Sequence, residues 1–183
     1  VINDRIKESV KESLAALKNI GIQKNVMLTG DTKEVADIVA REVGLDYAYA
    51  QLLPQDKVDK LEEILAEKNT LAYVGDGIND APVLARADVG IAMGGIGSDA
   101  AIEAADVVIM DDNLDNMVKG IKVAKRTMSI AKQNIAFAIG VKVIFLLLAA
   151  IGFGTMWEAV FADVGVTVLC IINAMRNLQV ENI

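Results

Sequence analysis

The sequence predicts an α/β domain on a parallel sheet, followed by two transmembrane helices. Three observations predict it. Short apolar runs alternate with helical patterns from Ile6 to Met110, the alternation that gives a parallel sheet covered by helices. Two glycine-aspartate turns, Thr29-Gly30-Asp31 and Gly75-Asp76-Gly77, each follow such a run, and in parallel sheets chemistry collects at the carboxyl ends of strands. Residues 134–153 and 156–174 are long and almost free of charge, each near the ~20 residues a helix needs to cross a hydrocarbon core.

In order along the chain, Ile6, Val10, Leu14, Leu17 and Ile20 fall at helical spacing and Gly21 stops that helix. Val26-Met27-Leu28 reads as a short buried strand. A helix follows from Thr32 to Val43, with Val35, Ile38 and Val39 expected inward and Gly44 at its end. Pro54 opens the next helix, a position where its missing N–H costs nothing; Val58, Leu61, Ile64 and Leu65 line it. Leu71–Val74 is a strand, Pro82–Arg86 a short helix, Val89–Ala92 a strand, Asp99–Ala104 a helix and Val107–Met110 a last strand. From Leu114 one helix runs through Lys119, Lys122, Lys125, Arg126 and Lys132 straight into the first apolar stretch. The expected division is therefore 1–113, a connecting helix at 114–133, spans at 134–153 and 156–174, and a tail at 175–183. Neither span reads as a secretory signal, since both lie toward the C-terminus. The chain starts at Val1 and enters a helical pattern at once, as a piece of a longer polypeptide would.

Composition excludes several functions. A net charge of −7 argues against nucleic acid as a partner, because phosphate backbones require clustered cations. The single cysteine, Cys170, makes neither an intrachain disulfide nor a zinc finger. With no histidine, the commonest general base and transition-metal ligand is missing. Catalysis here must use carboxylates, lysine, hydroxyls and backbone amides.

Gly75-Asp76-Gly77-Ile78-Asn79-Asp80-Ala81-Pro82 is the most informative run. A glycine turn can aim Asp76 and Asp80 at one point, and paired carboxylates suit Mg²⁺, which prefers carboxylate, phosphate and water oxygens. Alone, such a run is more often an ordinary strand-end turn. Thr29-Gly30-Asp31 offers a hydroxyl and amides to an anion near a helix start, or merely caps that helix. Lys57 can neutralise charge on a transferring phosphoryl group, or be a solvated surface lysine.

Taken together and in this order, Thr29-Gly30-Asp31, Pro54-Gln55-Asp56-Lys57 and Gly75-Asp76-Gly77-Ile78-Asn79-Asp80-Ala81-Pro82 resemble three of the four motifs of the haloacid-dehalogenase-like phosphotransferases, in the wording of the P-type ATPases. The resemblance covers essentially the whole chain. It implies a Rossmannoid parallel sheet and an ATP-driven ion pump working through an aspartyl phosphate. By the same resemblance Asp76 would coordinate Mg²⁺ with support from Asp80. Lys57 would pair with the aspartyl phosphate, Thr29 and Asn79 would bond phosphoryl oxygens, and Asp31, with Gly30, would set the loop. The nucleophile run Asp-Lys-Thr-Gly-Thr does not occur in this sequence. The segment is thus expected to be inert by itself and to need the remaining N-terminal part of the pump, including its nucleotide-binding domain. Without the central strand that bears the nucleophile, sheet edges would be left unpaired.

Within the spans, Lys142 lies eight residues beyond Asn134 and Asp163 seven beyond Met156, roughly 12 and 10 Å into the bilayer from opposite sides. Ions at that depth usually carry function, the alternative being that the two simply pair. Asn134 with Lys142, and Asp163-Val164-Gly165, resemble the zinc/cadmium/lead exporters among the heavy-metal P-type ATPases. The resemblance implies Asp163 as a ligand for transported Zn²⁺, Cd²⁺ or Pb²⁺ and Lys142 as its internal counter-ion. Cys170 reads as an inert thiol, Glu158 as interfacial and Trp157 as an interface anchor. Basic residues before the first span and Arg176 after the second place both ends of the segment in the cytoplasm of a multi-pass membrane protein. The rival readings are a membrane-tethered phosphatase of the same superfamily and a non-catalytic interaction module.

Overall fold

The structure, a computed structural model, describes residues 8–67, 70–75, 78–94, 99–111, 113–153 and 156–178. It divides into two compact units, one through Val118 and one from Lys119 onward.

In the first unit the elements are α1 (Glu8–Asn19), β1 (Val26–Leu28), α2 (Lys33–Val43), β2 (Tyr47–Tyr49), α3 (Pro54–Ala66), β3 (Ala72–Gly75), α4 (Ala81–Leu84), β4 (Val89–Met93), α5 (Asp99–Ala104) and β5 (Val107–Ile109). A 3-10 turn, Ile78–Asp80, leads into α4. All strand pairs are parallel, as the alternation requires. The strands form two separate ladders, β1-β2 and β3-β4-β5, with Val26 opposite Tyr47, Ala72 opposite Val89 and Ile91 opposite Val107. No described strand joins β1 to β3.

Three aspartates start these ladders in the same way. Asp46, Asp88 and Asp106 each stand one residue before a strand, and each accepts an N–H from the neighbouring strand's entrance. The donors are Asn25 at 2.8 Å, Leu71 at 2.9 Å and Gly90 at 2.8 Å. Asp46 also takes Lys18 at 2.7 Å. These two donors, the Asn25 amide first, hold the Asp46 carboxyl below the usual aspartate range.

The core lies under the second ladder. Val58, Leu61 and Val83 form one buried cluster, and Leu84, Ala92 and Ala101 another. A side chain such as Leu61, wholly shielded, contributes about 1.5–3 kcal/mol through burial. Tyr73 packs against both clusters. At the start of α3, Pro54 sits as expected, and Asp56 accepts the Leu53 N–H at 2.9 Å, which satisfies one of the free amides at the helix start.

Two expectations fail here, and one strand escapes the sequence pattern. β2 was not foreseen, because three residues are too short for an alternation to register. β1 is not buried: Val26 is exposed and Met27 and Leu28 are half-buried, since β1 has a described partner on one edge alone. On α2, Val35 and Ile38 face outward while Ala36 and Val43 are buried. That helix packs on α1 and β2 and turns its bulkier apolar face away from both.

The second unit is a helical hairpin. The first arm belongs to α6, one uninterrupted helix from Leu114 to Ala150, as anticipated. The returning arm is α7 (Met156–Val160), a π-helical turn (Phe161–Gly165) and α8 (Val166–Met175), ending in a 3-10 turn at Arg176–Leu178. Pairings that climb one arm while descending the other make the arms antiparallel. Arg126 donates to the Arg176 carbonyl at 2.7 Å, Asn134 to the Cys170 carbonyl at 3.0 Å, and Lys142 meets Asp163. Both arms are long and apolar enough to cross a membrane. Ile135, Ile144, Leu146 and Leu147 point outward on α6, each more than half exposed. Apolar surface of that extent is the kind that packs against lipid or other protein.

Candidate functional site

The carboxyl end of β3 positions the first site. Strand side chains alternate in direction, so Tyr73 and Gly75 share a face. Asp80, at the end of the 3-10 turn and the N-cap of α4, folds back over Gly75. A Cβ added to Gly75 would lie 2.8 Å from the Asp80 Cβ and 3.1 Å from its Oδ2. The glycine is therefore required by close approach. The Asp80 carboxylate does not cap its helix. Its Oδ1 accepts instead from Lys57 Nζ at 2.9 Å and from the Tyr73 hydroxyl at 3.0 Å.

Lys57 occupies the first turn of α3, where a cation opposes the helix dipole. The Asp80 carboxylate outweighs that penalty, because the two side chains are only 18% and 12% exposed and water screens the pair weakly. Asn79, beside Asp80, is exposed to solvent. Asp76 and Gly77 lie outside the described residues.

At the end of β1, Thr29 donates its hydroxyl to Asp31 Oδ2 at 2.8 Å, and the Asp31 N–H returns to Thr29 Oγ1 at 3.1 Å. The Gln51 N–H donates to the Asp31 carbonyl at 2.8 Å, and the Leu52 N–H to the Thr29 carbonyl at 3.1 Å. Gly30 lies beside the Leu52 carbonyl, which a Cβ added at that position would meet at 3.4 Å, an ordinary contact. The loop is thus tied to the segment after β2. Thr29 and Asp31 bond to each other, while Lys57 bonds to Asp80. Sequence reasoning missed Tyr73, although its place two residues before Gly75 on one strand face was a usable signal.

In the hairpin, Lys142 Nζ lies 3.1 Å from Asp163 Oδ1. Asp163 sits at the centre of the π turn, a distortion frequent at functional sites. Gly165 makes room there for the Phe161 ring: a Cβ would come within 2.7 Å of it, and that ring meets Phe145 edge-on at 6.4 Å. Farther along the returning arm, Asn173 donates to Asn134 Oδ1 at 2.8 Å, and Arg176 donates to Asn173 Oδ1 at 3.1 Å. Cys170 Sγ lies 3.8 Å from the Asn134 carbonyl. Among the described residues no cluster of three or more histidine, cysteine, aspartate or glutamate side chains forms.

The haloacid dehalogenase-like hydrolase family matches residues 1–88. A cadmium, zinc and cobalt-transporting ATPase of Bacillus subtilis is 54% identical over 185 residues, spanning 100% of this chain and 26% of that protein. A zinc-transporting ATPase of Synechocystis is 56% identical across 96% of this chain and 25% of its own length. A crystal structure of a zinc-transporting PIB-type ATPase in its E2.Pi state superposes with a TM-score of 0.89 at 41% identity, over 97% of this chain and 29% of the other. The chain spans about a quarter of the length of these relatives. Sequence and fold agree along the whole segment, and the chain belongs to the heavy-metal-transporting P-type ATPases.

Proposed function

We propose that this segment supplies part of the phosphoryl-transfer site and two membrane spans of an ATP-driven exporter of Zn²⁺, Cd²⁺ or Pb²⁺ that works through an aspartyl phosphate. The Lys142–Asp163 pair carries the reading. A charge at the bilayer centre costs about 2.5–3.5 kcal/mol or more, so an opposed pair held at 3.1 Å within an apolar hairpin calls for a purpose. A dication presented to Asp163 displaces the lysine, and the lysine returning to the carboxylate displaces the dication. Transport ligands beyond Asp163 belong to the rest of the pump.

In the first unit, Lys57 would leave Asp80 for the phosphoryl oxygens, and Thr29 and Asn79 would donate to them. The donor set fits Mg²⁺ in part. Lys57 and Tyr73 donate to Oδ1 of Asp80, and among the described residues Oδ2 has no hydrogen-bond partner; it lies beside Gly75, next in sequence to Asp76. Asp76 would hold the ion and Asp80 support it, while Mg²⁺ neutralises phosphoryl charge when bound. Without the nucleophile aspartate and the nucleotide-binding domain the segment alone would be inert. Positive charge before the first span and after the second puts both ends in the cytoplasm.

The test is metal-stimulated ATP hydrolysis by the full-length pump and its Asp163→Ala variant. Stimulation by Zn²⁺ should vanish in the variant. Equal stimulation in both would remove Asp163 from the transport site.

A further inference from the structure

We infer that Tyr73 is a positioning residue of the phosphoryl-transfer site, its hydroxyl holding the Asp80 carboxylate in place whenever Lys57 turns to the phosphoryl group. This rests on the phosphoryl-transfer role proposed above for Lys57 and Asp80. Three observations carry it. The Tyr73 hydroxyl and Lys57 Nζ donate to one and the same oxygen, Asp80 Oδ1, at 3.0 and 2.9 Å. Tyr73 is the side chain that packs against both buried clusters, so its ring has a fixed seat and its hydroxyl a fixed height above β3. Gly75 brings Asp80 down to that height, because any Cβ there would collide with Asp80.

The consequence concerns a carboxylate with two donors of which one must leave. When Lys57 pairs with a phosphoryl oxygen, Asp80 loses its cation and would be free to rotate about its own side-chain bonds. A second donor anchored in the core keeps Oδ1 where it was. Oδ2 then stays turned toward Gly75 and the Mg²⁺ support position. A mobile donor, such as a surface serine, would not do this. A tyrosine wedged between two hydrophobic clusters does.

The experiment uses the full-length pump with Tyr73→Phe, which keeps the ring and removes the hydroxyl, beside Tyr73→Leu, which loses both. Removing one hydrogen bond to a charged group should lower kcat of metal-stimulated ATP hydrolysis about ten-fold. The Mg²⁺ concentration for half-maximal rate should rise, while the KM for ATP, set elsewhere in the pump, stays constant. Thermal midpoints should fall for Tyr73→Leu and stay near the parent's for Tyr73→Phe. A purely structural role would lower the amount of active protein without moving the Mg²⁺ requirement. Tyr73→Phe with unaltered kcat and Mg²⁺ dependence would overturn the inference. Lys57→Ala separates the two levels: if that variant hydrolyses ATP normally, the site reading itself is wrong, whatever Tyr73 does.

Discussion

Gly75 and Asp46 show how single positions set this molecule's behaviour. A methyl at Gly75 would stand 2.8 Å from the Asp80 Cβ, and backbone and turn would have to shift together to admit it. Gly75→Ala should destabilise the first unit by about 1–3 kcal/mol, the usual cost of overpacking. It should also break the Asp80 bonds to Lys57 and Tyr73, so hydrolysis by the full pump should fall further than the loss of folded protein explains. Thermal melts and rates measured on the same preparation separate the two effects. At Asp46 the carboxyl is held low chiefly by the Asn25 amide and then by Lys18. A lowered folded value means its stabilisation is complete above the unfolded aspartate value of about 3.9. It is lost as pH falls through the folded value. The melting temperatures of the parent and Asp46→Asn should therefore differ at neutral pH and converge in acid; a constant gap at every pH would show that charge on Asp46 is irrelevant. Of the residues at the first site, Thr29, Asp31, Lys57 and Asp80 were named through the resemblance of their motifs. Tyr73 was not, because its role depends on the absent Cβ of Gly75 and on two clusters drawn from distant parts of the chain.

At the level of elements, the strand-entrance aspartates turn a chain of three- to five-residue strands into ordered ladders. Gly90 is buried, and its N–H donates to Asp106 at 2.8 Å while its carbonyl accepts from the Asp106 N–H at 2.9 Å. Asp106→Ala leaves that N–H without its acceptor, a loss of about 1–3 kcal/mol. Chemical denaturation should show it as a lower midpoint at unchanged slope. A variant as stable as the parent would mean that another group takes the N–H. The helices were legible from periodicity, Pro54 and Gly44, and the longer strands from apolar runs. β2 was lost because Tyr47-Ala48-Tyr49 follows a helix stop directly and is too brief to show a period. The π turn around Asp163 was invisible for another reason. It is a change of winding within an apolar helix, and pattern analysis assumes one winding throughout. Exposure of Val35, Ile38 and Val26 could not be read either, since apolar residues signal burial without saying which partner supplies it.

For the whole molecule the decisive element is α6. It begins at Leu114, within the first unit, and carries Lys142 in the second without a break through 37 residues, about 55 Å of helix. A helix of that length transmits rotation and translation along its axis only while its backbone hydrogen bonds stay continuous. If events at the phosphoryl site are to change the Lys142–Asp163 pair, α6 is the covalent route that both share. Arg126 lies along it, before the apolar stretch, and donates to the Arg176 carbonyl on the returning arm. Four glycines inserted just before Arg126 would interrupt the helix, each costing about 1 kcal/mol of helix propensity, and leave both units' own contacts in place. The full-length pump so altered should still hydrolyse ATP, since the Lys57–Asp80–Tyr73 arrangement is untouched. Its ion transport into sealed vesicles, counted per ATP consumed, should fall several-fold, and hydrolysis should lose its dependence on Zn²⁺. An equal insertion of four alanines, which preserves helix and displaces the arms by about 6 Å, tests length separately from stiffness. Should the glycine variant transport as many ions per ATP as the parent, the signal travels by other helices and α6 is a tether.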